Sequence, residues 1–156
     1  MPDLDHLYVV LGKYRSLAVS TPWAYQTYRQ QFGNSYVSDT VSLESRSARV
    51  HSGPLVNAIA HKDGAKIAQL LHNDLEKVVL PAYPQVLQLR EAFQSTGAAT
   101  MMSGSGPTVF ALVESQAQAE QIKQQVKTLM NHPDLDLWVA SFCNTGIHVA
   151  SSVKYN

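Results

Sequence analysis

The residues of this 156-residue chain whose types and spacing can do chemistry are few. The densest group is Met102-Ser103-Gly104-Ser105-Gly106-Pro107-Thr108. Two glycines around a serine let the backbone approach a ligand closely, and successive N–H groups in such a turn can form an anion-binding nest. A plain turn uses glycine for the same conformational freedom, and spacing alone favours that use. Two phosphate-binding patterns are excluded. No lysine follows Gly106, as a Lys-Ser/Thr phosphate loop requires. Pro107 and a strand pattern follow where a dinucleotide fingerprint needs a third glycine and a helix. The second feature is Ser20-Thr21-Pro22, with Thr21 expected as a helix N-cap and Pro22 at the first helical position. The positive end of that helix attracts negative charge.

Other reactive side chains have blander readings. The histidines His6, His51, His61, His72, His132 and His148 include no i, i+4 pair of the kind that binds zinc on a helix, and Cys143 stands alone, so no metal site is expected. His132-Pro133-Asp134-Leu135-Asp136 reads as a solvated turn. Arg46, Arg49 and His51 read as a basic cluster in an exposed loop. Cys143 reads as a buried thiol near a strand end rather than a nucleophile. Trp23, Tyr25 and Tyr28 can stack on a base but are more simply an apolar helix face. Asn73 and Asp74 read as cap and packing residues rather than ligands.

The elements that must position these groups follow from pattern and punctuation. Leu7 to Leu11 is a strand pattern closed by Gly12. A helix starting at Thr21-Pro22 carries Tyr25, Tyr28 and Phe32 and stops at Gly33. The serine-rich stretch 33–54 reads mostly as loop, long enough to suggest a role. Pro54–Ala60 predicts a short helix. Asp63 caps another with Ile67, Leu70 and Leu71 on its apolar side, and Asn73-Asp74-Leu75-Glu76 opens further helical material. Pro84 begins an amphipathic helix through Val86, Leu89 and Phe93, ended by Gly97. Ala99–Ser103 and Thr108–Val113 predict two strands around the glycine turn. Ser115 and Gln118 match a capping box before the stripe Ala119, Ile122, Val126 and Leu129, which Pro133 ends. Leu137–Phe142 and the less regular Ile147–Val153 are the remaining strand patterns. This order lacks strict strand–helix alternation. It predicts an α+β fold, a mostly antiparallel four-stranded sheet with helices packed on it, formed by residues 1–156 as a single domain.

Composition bounds the function. Hydrophobic residues make up 45% and charged ones 15%, which predicts a folded core. Formal net charge is zero, with 12 basic and 12 acidic side chains, so neither nucleic acid nor an anionic membrane is an expected partner. No apolar run approaches the roughly 20 residues of a membrane-spanning helix. The acidic, polar start Met1-Pro2-Asp3-Leu4-Asp5-His6 is unlike a signal peptide, and one cysteine suits a reducing compartment, so a cytoplasmic location is expected.

Met102 to Ala111 resembles the third conserved motif of the GHMP kinase superfamily, in which two strands are joined by a Gly-X-Gly loop. Val19-Ser20-Thr21-Pro22 and Asn73-Asp74-Leu75-Glu76 resemble two further segments, in the right order, of the branch that phosphorylates a diphosphocytidyl methylerythritol in the non-mevalonate isoprenoid pathway. The resemblance runs from about Leu7 to Val149. It implies the C-terminal domain of an ATP- and Mg2+-dependent small-molecule kinase, with the active site in a cleft against an N-terminal ATP-binding domain. It implies that Gly104, Ser105 and Gly106 support the phosphate-loop region, and that Thr21 faces the substrate hydroxyl. The family's long glycine- and serine-rich phosphate loop and its catalytic Asp and Lys have no counterpart in this sequence. No catalytic residue is therefore expected here, no cofactor is expected to bind this chain tightly alone, and the isolated chain is expected to lack kinase activity. A fragment of such a kinase predicts an exposed apolar domain face and self-association. The competing expectations are a binding or regulatory domain that kept the fold without the chemistry, and a module that completes a kinase in trans.

Overall fold

In a computed structural model, residues 6–35, 40–51 and 53–143 are described. The elements run β1 (Tyr8–Tyr14), α1 (Thr21–Phe32), α2 (Thr40–His51), α3 (Pro54–Ala60), α4 (Gly64–Leu70), α5 (Glu76–Ala82), α6 (Pro84–Gln94), β2 (Ala99–Met102), β3 (Val109–Val113), α7 (Gln116–Met130) and β4 (Leu135–Ser141). The four strands form one sheet in the order β2-β3-β1-β4, and every neighbouring pair is antiparallel. The α+β architecture read from the sequence is the one observed. The expected strand over Ile147–Val153 lies outside the described residues.

Period-2 alternation assigns the sheet's two faces. Val10 and Tyr14 of β1, Val109 and Ala111 of β3, and Leu137 and Val139 of β4 belong to the main core, with Val86, Leu89 and Phe93 of α6 and Ala119, Ile122 and Val126 of α7. The other face is covered in part by α3 and α4, whose Ala58 and Ile67 pack with Leu7 and Leu112. Beyond them the register aligns Met101, Phe110, Leu11 and Trp138 in one cross-strand row on that face. Trp138 in this row is 47% exposed.

Local chemistry explains the element ends. Asp63 caps α4 by accepting from the Lys66 N–H at 2.9 Å, and Ser115 caps α7 by accepting from the Gln118 N–H at 3.2 Å. Asn131 ends α7 in the left-handed conformation, at φ +39.

Several expectations need correction. Gly12 does not close β1. The strand continues to Tyr14, and a Cβ at Gly12 would lie 2.8 Å from Phe93 Cε2, so the glycine admits the α6 ring. The stop expected at Gly33 is observed: α1 ends at Phe32 with Gly33 as its C-cap, at φ −57, leading into a 3-10 turn over Gly33–Ser35. The serine-rich stretch contains the twelve-residue helix α2. Serine's helix propensity is below alanine's by only about half a kcal/mol per residue, so composition alone does not exclude a helix. Leu129 does not join the buried stripe of α7 and is 63% exposed. Cys143 is exposed rather than buried.

Candidate functional site

The glycine loop lies at the end of β2, on the sheet's edge strand. The Ser103 N–H donates to Thr108 O at 2.8 Å and the Gly106 N–H to Ser103 O at 2.9 Å, which closes the turn. Gly104 and Gly106 take φ +56 and +80. At Gly106 a Cβ would also meet Met102 Sδ at 2.8 Å, so glycine is required there for conformation and for space. Because the Gly106 N–H is used inside the turn, the loop's remaining amide donors are those of Gly104 and Ser105. Neither makes a backbone bond to another described residue.

The N-terminus of α1 meets this loop. Ser20, not Thr21, is the N-cap: its Oγ accepts from the Trp23 N–H at 3.4 Å, and Thr21 and Pro22 occupy the first helical turn. The one-residue shift leaves the Thr21 hydroxyl unused by the helix, and Thr21 Oγ1 lies 2.7 Å from Ser105 Oγ. Two segments separated by more than eighty residues thus bring together the expected substrate residue Thr21 and the expected phosphate-side residues Gly104, Ser105 and Gly106. Thr21 is exposed and Ser105 half-buried, so the pair is accessible.

Asn73 is a third component, and it does more than the capping and packing expected of it. Its Nδ2 donates to Met102 O at 2.7 Å and to Gly104 O at 2.8 Å, while its Oδ1 accepts from the Leu75 N–H at 3.0 Å. One amide therefore ties the loop to the start of α5. Glu76, next in the same segment, accepts from the Met102 N–H through Oε1 at 2.7 Å and from Arg90 Nε at 3.0 Å. Asp74 accepts from Lys77 Nζ at 2.7 Å and pairs with His72 Nε2 at 3.1 Å, and these hydrogen bonds hold its carboxyl below the usual range. Lys77 Nζ sits 5.6 Å from the Phe32 ring centroid and 5.9 Å from that of Tyr28, joining α5 to α1.

A cleft of ≈ 460 Å³ opens beside the loop, lined by Tyr25, Tyr28, His72, Asn73, Met101 and Gly104 among others. Both α1 tyrosines line it, Tyr25 exposed at 55% and Tyr28 largely buried against the core. The apolar-face reading holds for Tyr28 and for Trp23, whose ring meets Tyr83 edge-on at 5.4 Å, but not for Tyr25. Roomier concavities lie against α7, one of ≈ 500 Å³ lined by Arg15, Lys123, Lys127 and His132, the other of ≈ 730 Å³ lined by Gln121, Gln125 and Leu129. Neither is lined by the loop, whereas Gly104 with Asn73, His72 and Asp74 lines the smaller cleft, and that convergence of polar groups marks it as the site.

The loop leading to Thr21 is anchored at its other end. Arg15 pairs with Asp136 and donates to Pro133 O, while Ser16 donates to Asp134 from its hydroxyl and, at 3.1 Å, from its N–H. The Ser16 hydrogen bonds hold the Asp134 carboxyl below its ordinary range. The segment expected as a solvated turn is thus a latch on the β1–α1 connection.

Loop amides, two hydroxyls and a helix N-terminus suit a phosphate or a polar alcohol. Among the described residues no group of three or more His, Cys, Asp or Glu is placed to hold a metal ion. No described helix is long and apolar enough to cross a membrane.

Residues 55–132 match the family model described as GHMP kinases C terminal. The chain is 63% identical over 155 residues to 4-diphosphocytidyl-2-C-methyl-D-erythritol kinase of Nostoc punctiforme, covering 98% of this chain and 49% of that protein. It is 58% identical over 151 residues to the protein of the same name from Trichodesmium erythraeum, covering 96% and 48%. The chain thus spans about half the length of the curated relatives it matches. Homoserine kinase from Cytophaga hutchinsonii superposes with a TM-score of 0.62 at 23% identity, over 88% of this chain and 42% of that one. A structure of 4-(cytidine 5'-diphospho)-2C-methyl-D-erythritol kinase gives 0.54 at 19%, over 85% and 42%. Both likenesses concern the fold alone. The two strands around Gly104-Ser105-Gly106, the helix at Thr21 and the matched family model lead to one assignment: this chain belongs to the GHMP kinase C-terminal family.

Proposed function

We propose that this chain is the C-terminal half of a 4-diphosphocytidyl-2-C-methyl-D-erythritol kinase, residues 1–156 forming one domain that supplies one wall of the phosphoryl-transfer site. The high identity to the Nostoc punctiforme protein along nearly the whole chain supports the substrate class. The observation that carries the reading is the 2.7 Å contact between Thr21 at the head of α1 and Ser105 of the glycine loop. It puts a hydroxyl able to orient an alcohol beside backbone amides able to face a phosphate.

In the proposed reaction a substrate hydroxyl attacks the γ-phosphorus of ATP. The new P–O bond forms as the bond to the ADP oxygen breaks, and the hydroxyl proton leaves to a base. ATP with Mg2+ supplies the phosphoryl group and the charge neutralisation, and the base and metal carboxylates belong to an N-terminal half. Within this chain, Thr21 orients the alcohol, the Gly104 and Ser105 amides face the phosphates, and Tyr25 walls the cleft. Phosphoryl transfer depends mostly on such positioning and electrostatics. A protein of this kind works in the cytoplasm. Separated from the N-terminal half, the chain lacks kinase activity and is expected to self-associate through the apolar row ending at Trp138.

The test is ADP release and substrate phosphorylation by the full-length protein and its Thr21→Val variant. The variant keeps the branched shape and loses the hydroxyl, so kcat/KM should fall about five- to tenfold. A wild-type protein with no transfer to the diphosphocytidyl alcohol contradicts the substrate reading, and a Thr21→Val variant of wild-type activity contradicts the role given to Thr21.

A further inference from the structure

Met102 is the last residue of the edge strand and the base of the glycine loop. Its side chain is fully buried, and its sulfur lies 2.8 Å from where a Gly106 Cβ would be. Its carbonyl is held by Asn73, which holds Gly104 O as well. Its N–H points away from β3, and on an edge strand such a group is ordinarily satisfied by water. Here it donates instead to a carboxylate oxygen, Glu76 Oε1, at 2.7 Å. That same oxygen accepts from Arg90 Nε on α6 at 3.0 Å, and Arg90 Nη1 donates to Gln94 Oε1 at 2.8 Å. The Glu76 and Arg90 side chains are only 17% and 23% exposed, so solvent screens this pair less than a surface pair. Charge-assisted hydrogen bonds of this kind are shorter and stiffer than neutral ones.

We propose that Glu76 and Arg90 are positioning residues for phosphoryl transfer, a charged strut from α6 to the Met102 N–H that fixes where the glycine loop sits. The proposal rests on the functional reading above. Neither residue lines the cleft beside the loop, so both act through Met102 rather than on substrate. Met102 is held at its N–H, its carbonyl and its side chain. Gly104 shares the Asn73 clamp and Gly106 rests on the Met102 sulfur, so displacing Met102 displaces both glycines. A shift of about 1 Å in a positioning element costs on the order of 100-fold in rate.

The full-length protein is assayed with Glu76→Ala, Glu76→Gln and Arg90→Lys, at a temperature where circular dichroism shows each variant folded. Glu76→Ala is expected to lower kcat about 10- to 100-fold, with KM for ATP and for the alcohol changed less than about threefold. Glu76→Gln keeps an oxygen for the Met102 N–H and is expected to recover most of that loss. Arg90→Lys, which leaves Glu76 in place but not the planar donor, should fall between wild type and Glu76→Ala. If Glu76→Ala does not fold, the other two variants carry the comparison. The proposal is overturned by a folded Glu76→Ala with wild-type kcat, by a loss confined to KM, or by a glutamine variant no better than alanine. Hydrogen exchange at the Met102 amide of the 156-residue chain is read in parallel, fast in Glu76→Ala and near wild type in Glu76→Gln. A wild-type protein with no kinase activity overturns the functional reading only, and the exchange result then decides: an unchanged Met102 rate in Glu76→Ala overturns the strut.

Discussion

Replacing Asn73 by alanine and by aspartate gives the sharpest stability test of how the site is assembled. Asn73 donates twice, to Met102 O and Gly104 O, and accepts once from the Leu75 N–H. A net intramolecular hydrogen bond contributes about 1 kcal/mol. Gly104 is an exposed residue, so once released its carbonyl can turn to water, and the alanine variant should lose about 2 kcal/mol rather than three full bonds' worth. For a chain of this size that corresponds to about 4–8 °C in Tm and a urea midpoint lower by on the order of 1 M. Asn73→Asp is nearly isosteric and keeps the acceptor for Leu75. It removes both donors, however, and sets a carboxylate against two carbonyl oxygens 2.7 and 2.8 Å from the original nitrogen. It should therefore be at least as destabilising as alanine at neutral pH and recover partly in acid. Equilibrium urea unfolding of the 156-residue chain reads both. An aspartate variant as stable as wild type, or an alanine variant within about 0.5 kcal/mol of it, refutes the clamp.

Three further outcomes follow from the same geometry. Gly106→Ala should cost more than Gly104→Ala by urea unfolding: both bear a left-handed penalty of about 1–2 kcal/mol, but only Gly106 also meets the Met102 sulfur, the space around Gly104 being open. Ser20→Ala should cost about 1 kcal/mol as a lost cap, whereas Thr21→Val should change stability by less than about 1 kcal/mol, because its hydroxyl serves Ser105 rather than α1; thermal melts separate the two. Burial, with the Asp134 charge adding to it, raises the Tyr14 hydroxyl's pKa above its ordinary 10.0. Its contribution is fully present below pH 10.0 and is lost as pH rises through the folded value, so Tyr14→Phe should flatten that alkaline loss of stability in a pH-resolved melt.

Much of the fold was legible because the deciding signals are local. Pro54–Ala60, the Asp63 and Ser115 caps and the Pro84 start are written in residues adjacent to what they control. The antiparallel pair around the glycine turn was legible for the same reason. What sequence reading missed depends on distant partners. Gly12 reads as a stop until Phe93, far along the chain, is placed against it. Asn73 reads as a cap because its acceptors lie 29 and 31 residues away. Thr21 and Ser20 compete for the cap by one residue, and only the Ser105 contact shows which hydroxyl is left for the site. The α2 helix was hidden by serines, whose modest propensity cost masks a helix built on Leu43, Glu44 and Arg46.

The central claim is that this chain is one wall of a phosphoryl-transfer site whose other wall lies elsewhere. Its most direct test is ATP-dependent phosphorylation of 4-diphosphocytidyl-2-C-methyl-D-erythritol by the 156-residue chain, alone and mixed with the separate N-terminal half of the Nostoc punctiforme relative. The account predicts no product from the chain alone, and equimolar ADP and phosphorylated alcohol from the mixture. Turnover by the chain alone, or a folded pair that binds and transfers nothing, would contradict it.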